Sequence, residues 1–183
     1  VFTMAWYNLV YTPLKRVTPF AVFPGALIGA LPPLIGWSAA EGAFLHPDIV
    51  LVAFFLFIGQ MPHYWLLMMK VGHEYQEAGL PVITNLFSQR QLRNISFVWI
   101  VAAAVTVLMF PVAEIIKSTW VGFALLAVIL AFLLRMFFLA FKGDLMKHWK
   151  KAFVTVNAFY LMIILLLIAD KLITSYLYLK FVP

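Results

Sequence analysis

The sequence contains no cysteine, and only 11% of its 183 residues are charged. Without cysteine there is no disulfide framework, no zinc ribbon, no thiolate-bound iron–sulfur cluster and no cysteine nucleophile. A soluble domain carries about 25% charged residues, whereas 65% of the residues here are hydrophobic. Because a water-soluble chain of this length could not bury so much apolar surface, the composition excludes a soluble globular domain. It predicts an integral membrane protein.

Five apolar runs are long enough to cross the hydrocarbon core of a bilayer, which takes about 20 helical residues. These runs are Pro19–Trp37, Ile49–Met69, Ile95–Val112, Trp120–Phe141 and Ala152–Ile173. The apolar stretch Val1–Val10 is too short to span and lacks the basic start and the cleavage site of a signal peptide. We expect it to be the end of another helix. The predicted fold is an all-α, polytopic transmembrane helix bundle, with residues 1–183 forming a single domain.

Basic residues are unevenly divided between the segments that connect these runs. Under the positive-inside rule, the side with the excess faces the cytoplasm. The chain has 13 basic residues, and those expected on the cytoplasmic side are Lys15, Arg16, Lys70, Arg90, Arg93, Arg135, Lys142, Lys147, Lys150 and Lys151. With five spans, the C-terminus would then lie outside. A net charge of +6 can indicate nucleic-acid binding, but here it reflects this loop bias, so we expect no nucleic-acid partner.

The second apolar run contains two polar side chains at membrane depth, Gln60 and His63. Three residues apart on a helix, they point to the same face, and ionisable groups in a membrane suggest function by default. They could form a hydrogen-bonded structural pair that fills a polar seam. Alternatively they could contact a substrate, with His63 as an axial ligand if that substrate is a haem.

The segment Lys70–Pro81, interpreted as a loop after the second run, combines a lysine, a histidine and two carboxylates. Such a cluster could bind a divalent cation and a diphosphate, because Mg²⁺ takes one or two carboxylates together with phosphate oxygens and water. Glu74 and Glu77 are spaced for one helical face. The alternative is a solvated interfacial loop. Likewise, Lys15 and Arg16 could form a diphosphate clamp or an ordinary positive-inside anchor.

Four stretches occur in a fixed order along the chain. They are Tyr11–Phe20 (YTPLKRVTPF), Gly25–Trp37 (GALIGALPPLIGW), Gln60–Trp65 (QMPHYW) and Glu74–Pro81 (EYQEAGLP). Together they resemble motifs in the second half of the UbiA-type prenyltransferases, in the branch that farnesylates protohaem. Four ordered motifs at consistent spacing are far more specific than any one of them.

The resemblance implies a nine-helix bundle. This chain would supply the end of the fourth helix and helices five to nine, so that the N-terminal half is absent. It also implies an enzyme of the bacterial inner membrane, a prenyltransferase. Its reaction would join the farnesyl group of farnesyl diphosphate to a vinyl group of protohaem IX, giving haem O, with Mg²⁺ neutralising the departing diphosphate.

Site residues follow from the position of each matching motif. Lys15 and Arg16 would hold the diphosphate, and Glu74 would be a metal ligand. The complete set expected to contact substrate is Lys15, Arg16, Gln60, His63, Lys70 and Tyr75. The Gln60 and His63 side chains would line the cavity.

The chain also departs from the family pattern. It has Gly59 where the family usually has tryptophan, and Glu74 in place of aspartate. An N-x-x-x-D-x-x-x-D segment, the first Asp-rich motif, is absent, so the missing half would have to be supplied in cis or in trans. Two other functions remain open: a UbiA-type enzyme with a quinone or other aromatic acceptor, and a non-catalytic membrane scaffold or haem-binding protein.

Overall fold

In this computed structural model the described residues are 1–40, 42–143, 145 and 147–181, with side chains described as far as residue 176. All regular structure in this part of the chain is helical. The α-helices are α1 (Phe2–Trp6), α2 (Thr12–Leu14), α3 (Val22–Ala39), α4 (Pro47–Glu77), α5 (Gln89–Val112), α6 (Thr119–Phe137) and α7 (Trp149–Phe181). The all-α prediction is therefore confirmed.

Five helical stretches are long and apolar enough to cross a membrane. They are Pro19–Ala39, Pro47–Glu77, Gln89–Val112, Thr119–Lys142 and Trp149–Tyr176, and each contains one predicted run. The first begins with a 3-10 turn, Pro19–Ala21, and the fourth ends in a π-helical turn, Phe138–Lys142. The chain is an integral, multi-pass membrane protein.

The N-terminal stretch is helical, as expected. A π-helical turn, Tyr7–Tyr11, joins α1 to α2. The Trp6 indole N–H donates to the Pro24 carbonyl of α3 over 2.9 Å. This contact ties the N-terminal helical stretch to the first span.

The C-terminal end of α4 differs from the prediction. The residues from Lys70 to Glu77 were expected to form a loop, but they continue the helix. The helix ends where Gly79 adopts a φ of +72°. The Leu80 N–H donates to the Tyr75 carbonyl over 2.9 Å and the Gly79 N–H to the Gln76 carbonyl over 3.0 Å, the paired bonds of a Schellman cap. The apolar run stops at the edge of the hydrocarbon, whereas the backbone hydrogen bonds continue to a residue that tolerates positive φ.

Helix α4 is the centre of the bundle, because it packs against α3, α5 and α7, while α6 packs against α5 and α7. The larger hydrophobic core joins α4 through α7 around the fully buried Phe55, Phe110 and Ile163. A smaller core joins α3, α4 and α5 around Met61 and Trp65. The opposite helix faces expose large apolar side chains, such as Val98, Phe123, Leu130, Leu134 and Leu165, as expected for surfaces in contact with lipid.

Candidate functional site

A pocket of about 270 Å³, with both polar and apolar lining residues, lies between the N-terminal helical stretch, α3 and α4. Ligand pockets usually measure about 300–1,000 Å³, so this one lies just below the usual range. It is lined by Tyr7, Tyr11, Val22, Gly25, Ala26, Ile28, Gly29, Gln60, His63, Tyr64 and Leu67. A larger cavity of about 430 Å³, between α5 and α6, has a mainly apolar lining in which Lys117 is the charged residue. The smaller pocket therefore offers more polar chemistry.

Helix periodicity places the α4 residues on one wall of this pocket. Gln60, His63, Tyr64 and Leu67 follow the i, i+3, i+4, i+7 spacing of a single helix face. The expectation that Gln60 and His63 share a face is confirmed. Whether they contact a substrate stays a prediction.

Two glycines of α3 make room for side chains in the opposite wall. A Cβ atom at Gly25 would lie 2.8 Å from Cε2 of Tyr11, and one at Gly29 would lie 2.9 Å from Cδ of Gln60. Real Cβ atoms do not approach other atoms so closely. The G-x-x-x-G spacing of α3 therefore admits the Tyr11 ring and the Gln60 amide, in addition to letting helices approach one another.

His63 has a partner that the sequence reasoning missed. Its Nδ1 atom lies 3.2 Å from Oδ1 of Asn157 on α7, and its ring centroid lies 4.8 Å from that of Phe153. The structural interpretation paired His63 with Gln60, but the hydrogen bond that His63 makes is to Asn157. An asparagine within the last apolar run was the available signal for this contact.

Three phenol groups, those of Tyr7, Tyr11 and Tyr64, line the pocket. The Tyr7 and Tyr11 rings are 5.3 Å apart, and the Lys15 ammonium lies 5.7 Å from the Tyr11 centroid. Burial raises the pKa of the Tyr11 phenol, and the phenols of Tyr75 and Tyr7 raise it further. The Tyr11 hydroxyl is thus neutral at physiological pH. Lys15 and Tyr75 both lie near Tyr11.

Three of the predicted residues, Arg16, Lys70 and Glu74, do not line this pocket. The side chains of Arg16 and Glu74 are exposed and make no hydrogen bond or ion pair with the described part of the chain. The Lys70 ammonium lies over the Trp149 ring, 5.1 Å from its centroid. Glu77, the second carboxylate of the cluster, forms an ion pair with His73 at 3.4 Å.

A complete metal centre is not formed by these side chains. Across the described ranges, no group of three or more His, Cys, Asp and Glu residues comes together as potential ligands. Glu74 fits the role of one oxygen ligand, because Mg²⁺ commonly takes one or two carboxylates and completes its shell with phosphate oxygens and water. Its assignment as a metal ligand remains a prediction.

The space beside Gly59, where the chain departs from the motif it resembles, is filled by a side chain from another helix. The Tyr160 hydroxyl of α7 donates to the Gly59 carbonyl over 3.0 Å. A Cβ atom at position 59 would lie 2.7 Å from Cζ of Tyr160. The tyrosine ring therefore occupies the space next to α4 that a larger side chain at position 59 would need.

The fold defines a polytopic membrane protein with a pocket between its helices. Residues 1–164 match the model of the UbiA prenyltransferase family. The chain belongs to this family, which confirms the resemblance of the four motifs.

Several relatives are named protoheme IX farnesyltransferase. The protein of Oleidesulfovibrio alaskensis is 36% identical over 94% of this chain and 58% of its own length. That of Geobacter sulfurreducens is 42% identical over 59% of this chain and 40% of its own length. That of Nitratidesulfovibrio vulgaris is 41% identical over 65% of this chain and 41% of its own length. The chain thus spans about half the length of the relatives it matches, and no solved structure matches it significantly.

Proposed function

We propose that this chain is part of an enzyme of the bacterial inner membrane that transfers the farnesyl group of farnesyl diphosphate to protohaem IX, giving haem O. The observation that carries the proposal is the pocket in which Gln60 and His63 share one space with Tyr11, beside Lys15. Membership of the UbiA family and the names of the relatives support it. The rest of the enzyme would be supplied in cis or in trans.

The donor end of the site would bind the diphosphate. Lys15 and Arg16 provide positive charge that stabilises the departing diphosphate oxygens. Lys70 and Tyr75 lie near the end of α4 with Glu74 and would contact the same group. Bound Mg²⁺ would neutralise the leaving group, with Glu74 as one ligand and the remaining ligands from the part of the enzyme not present in this chain.

The acceptor end would be the pocket itself. When the bond between farnesyl carbon and diphosphate oxygen breaks, positive charge develops on the allylic carbon. Aromatic rings attract cations through the negative potential of their faces, and Tyr11 and Tyr64 both line the pocket. Gln60 and His63 would hold the protohaem acceptor next to this carbon. As the vinyl group forms its bond to the farnesyl carbon, positive charge passes to the vinyl carbon beside the macrocycle, and addition of water there with loss of a proton gives haem O.

The first test compares two carboxylates on the last turns of α4. Glu74→Gln removes the proposed metal ligand and keeps the shape of the side chain, so we expect the rate to fall by about 10²–10³. Raising the Mg²⁺ concentration should restore part of the rate, because a carboxylate ligand mainly increases metal affinity. Glu77→Gln is the matched control, since Glu77 pairs with His73, and it should stay near wild type.

The assay is the formation of haem O from protohaem and farnesyl diphosphate in membranes that also contain the N-terminal half of a UbiA-type enzyme. Membrane abundance of each variant is measured first. Equal activity of Glu74→Gln and wild type across the Mg²⁺ titration would refute the metal-ligand assignment. Prenylation of a quinone precursor in place of protohaem would refute the acceptor, and binding of protohaem without any transfer would indicate a scaffold.

A further inference from the structure

The hydrogen bonds of Asn157 fix the protonation pattern of His63. The Nδ2 group of Asn157 donates to the Phe153 carbonyl over 2.7 Å. Because a carbonyl oxygen only accepts, this bond decides which way the Asn157 amide points, and it leaves Oδ1 facing Nδ1 of His63 at 3.2 Å. An amide oxygen also only accepts. In the neutral imidazole the proton must therefore lie on Nδ1 and the lone pair on Nε2.

The second ring nitrogen of His63, Nε2, remains available to bind a ligand. His63 lines the pocket, and Nε2 has no hydrogen-bond partner within the described ranges. The Phe153 ring, 4.8 Å away, packs against the imidazole and restricts its rotation. Phe153 and Asn157 lie one turn apart on α7, so the same face of that helix sets both the orientation and the tautomer of His63.

This arrangement is the one that metal-ligating histidines adopt. A histidine that binds a metal through one ring nitrogen almost always donates its other N–H to an oxygen, which fixes the tautomer and increases the basicity of the ligand. The pocket partners of His63 on α4 are the neutral side chains of Gln60 and Tyr64. An imidazole Nε2 in such surroundings is suited to the iron of a haem.

We propose that Asn157 is a positioning residue that holds His63 with Nε2 ready to bind the iron of the protohaem substrate. The inference rests on the proposed function, because it takes protohaem as the acceptor. Axial ligation by His63 fixes the macrocycle at one point, which limits the vinyl positions that can approach the farnesyl carbon. Asn157 acts through His63 and does not itself touch the substrate.

Protohaem titration of the purified protein in nanodiscs tests this inference without the need for turnover. The absorption spectrum reports histidine ligation, and the titration gives the affinity. We expect His63→Ala to lose the histidine-ligated spectrum. Asn157→Leu should weaken protohaem binding by about 10–100-fold, the usual cost of removing the partner of a metal-binding histidine.

Two further variants separate positioning from stability. Thr106→Val removes another partly buried hydrogen bond, to the Ala102 carbonyl of α5, without altering the pocket, and it should bind protohaem like wild type. Asn157→Asp keeps the acceptor oxygen and adds negative charge. It should retain ligation and lower the reduction potential of the bound haem, because the imidazole becomes a stronger donor.

The outcomes distinguish this inference from the proposed function. Equal affinity and spectrum for Asn157→Leu and Thr106→Val would overturn the role of Asn157. If Asn157→Leu does not fold, an unchanged reduction potential in Asn157→Asp would overturn it instead. Histidine-ligated protohaem without farnesyl transfer would leave the inference standing and refute the function. Farnesyl transfer without a histidine-ligated absorption spectrum would refute the inference and leave the proposed function standing.

Discussion

Gly59 on α4 and Tyr160 on α7 form a complementary pair, in which the missing side chain of one makes space for the ring of the other. The Tyr160 ring also packs against Phe55, with centroids 5.4 Å apart, and its hydroxyl bonds to the Gly59 carbonyl. A tryptophan at position 59 would occupy the same volume. The two positions should therefore change together.

Exchanging the large residue between these helices tests this dependence. Gly59→Trp alone should destabilise the fold by about 1–3 kcal/mol or more through overpacking. Tyr160→Ala alone should cost about 3–5 kcal/mol through the cavity it leaves. The double variant should be more stable than the sum predicts, with a coupling energy of about 1 kcal/mol or more. Unfolding of the purified protein in mild detergent measures all three, and additive losses would contradict the pairing.

Single residues also mark the limit of sequence reasoning about the site. Gln60 and His63 could be predicted to share a face because their spacing lies within one helix. Asn157 is 94 residues from His63, so their contact depends on the packing of α7 against α4. Apolar periodicity does not specify which faces of two helices meet, and this is why Asn157 could not be identified as a partner of His63 from the sequence.

The connection between α5 and α6 is held by a side chain from α7. Asp170 is completely buried, and its carboxylate accepts hydrogen bonds from the backbone N–H groups of Lys117, at 3.1 Å, and Ser118, at 2.7 Å. The Lys171 ammonium donates to the Ile115 carbonyl over 2.9 Å. Since Ser118 precedes the first residue of α6 and its own side chain makes no cap, Asp170 serves as the N-terminal cap of that helix.

Removing this cap should loosen one connection without altering the pocket. Hydrogen bonds to a charged group contribute about 1.5–3 kcal/mol each, so Asp170→Ala should lower the free energy of unfolding by several kcal/mol. Asp170→Asn should lose less, because it retains one acceptor oxygen. Hydrogen exchange of the Lys117 and Ser118 amides should rise in both variants.

Asp48→Ala is the control for this experiment. Asp48 is a carboxylate whose side chain is 40% exposed and whose Oδ1 atom lies 3.6 Å from Nδ1 of His46. Exposed pairs contribute about 0–1 kcal/mol, so this variant should stay close to wild type. A loss equal to that of Asp170→Ala would show that the buried cap has no special role.

Element boundaries could be predicted only where apolar residues define them. The run Ile49–Met69 gives the part of α4 that lies in hydrocarbon, but α4 extends from Pro47 to Glu77. Its last turns are polar and end at a glycine-dependent cap, so hydropathy carries no information about them. The consequence for the site is that Lys70, Glu74 and Tyr75 lie on a rigid helix and not on a loop.

On the scale of the whole molecule, five spans could be counted from the sequence because the length of an apolar run is set by bilayer thickness. The central position of α4 could not be predicted from the sequence, because it arises from contacts with three other helices. The pocket lies where α4 meets α3 and the N-terminal helical stretch. Its place between three parts of the chain therefore could not be predicted from any one apolar run.

The basic residues of this bundle predict its orientation in the membrane, and the absence of cysteine makes that prediction directly testable. Asn85 lies in the α4–α5 connection and Ala43 in the α3–α4 connection, and both are exposed. Under the positive-inside rule Asn85 should face the cytoplasm and Ala43 the opposite side. Because the chain has no native cysteine, Asn85→Cys and Ala43→Cys each introduce a single thiol. A membrane-impermeant maleimide applied to intact spheroplasts should label only Ala43→Cys, and permeabilisation should expose Asn85→Cys as well. Labelling of both thiols in intact spheroplasts would contradict the five-span alternation, and labelling of Asn85→Cys alone would show that the bundle is inverted.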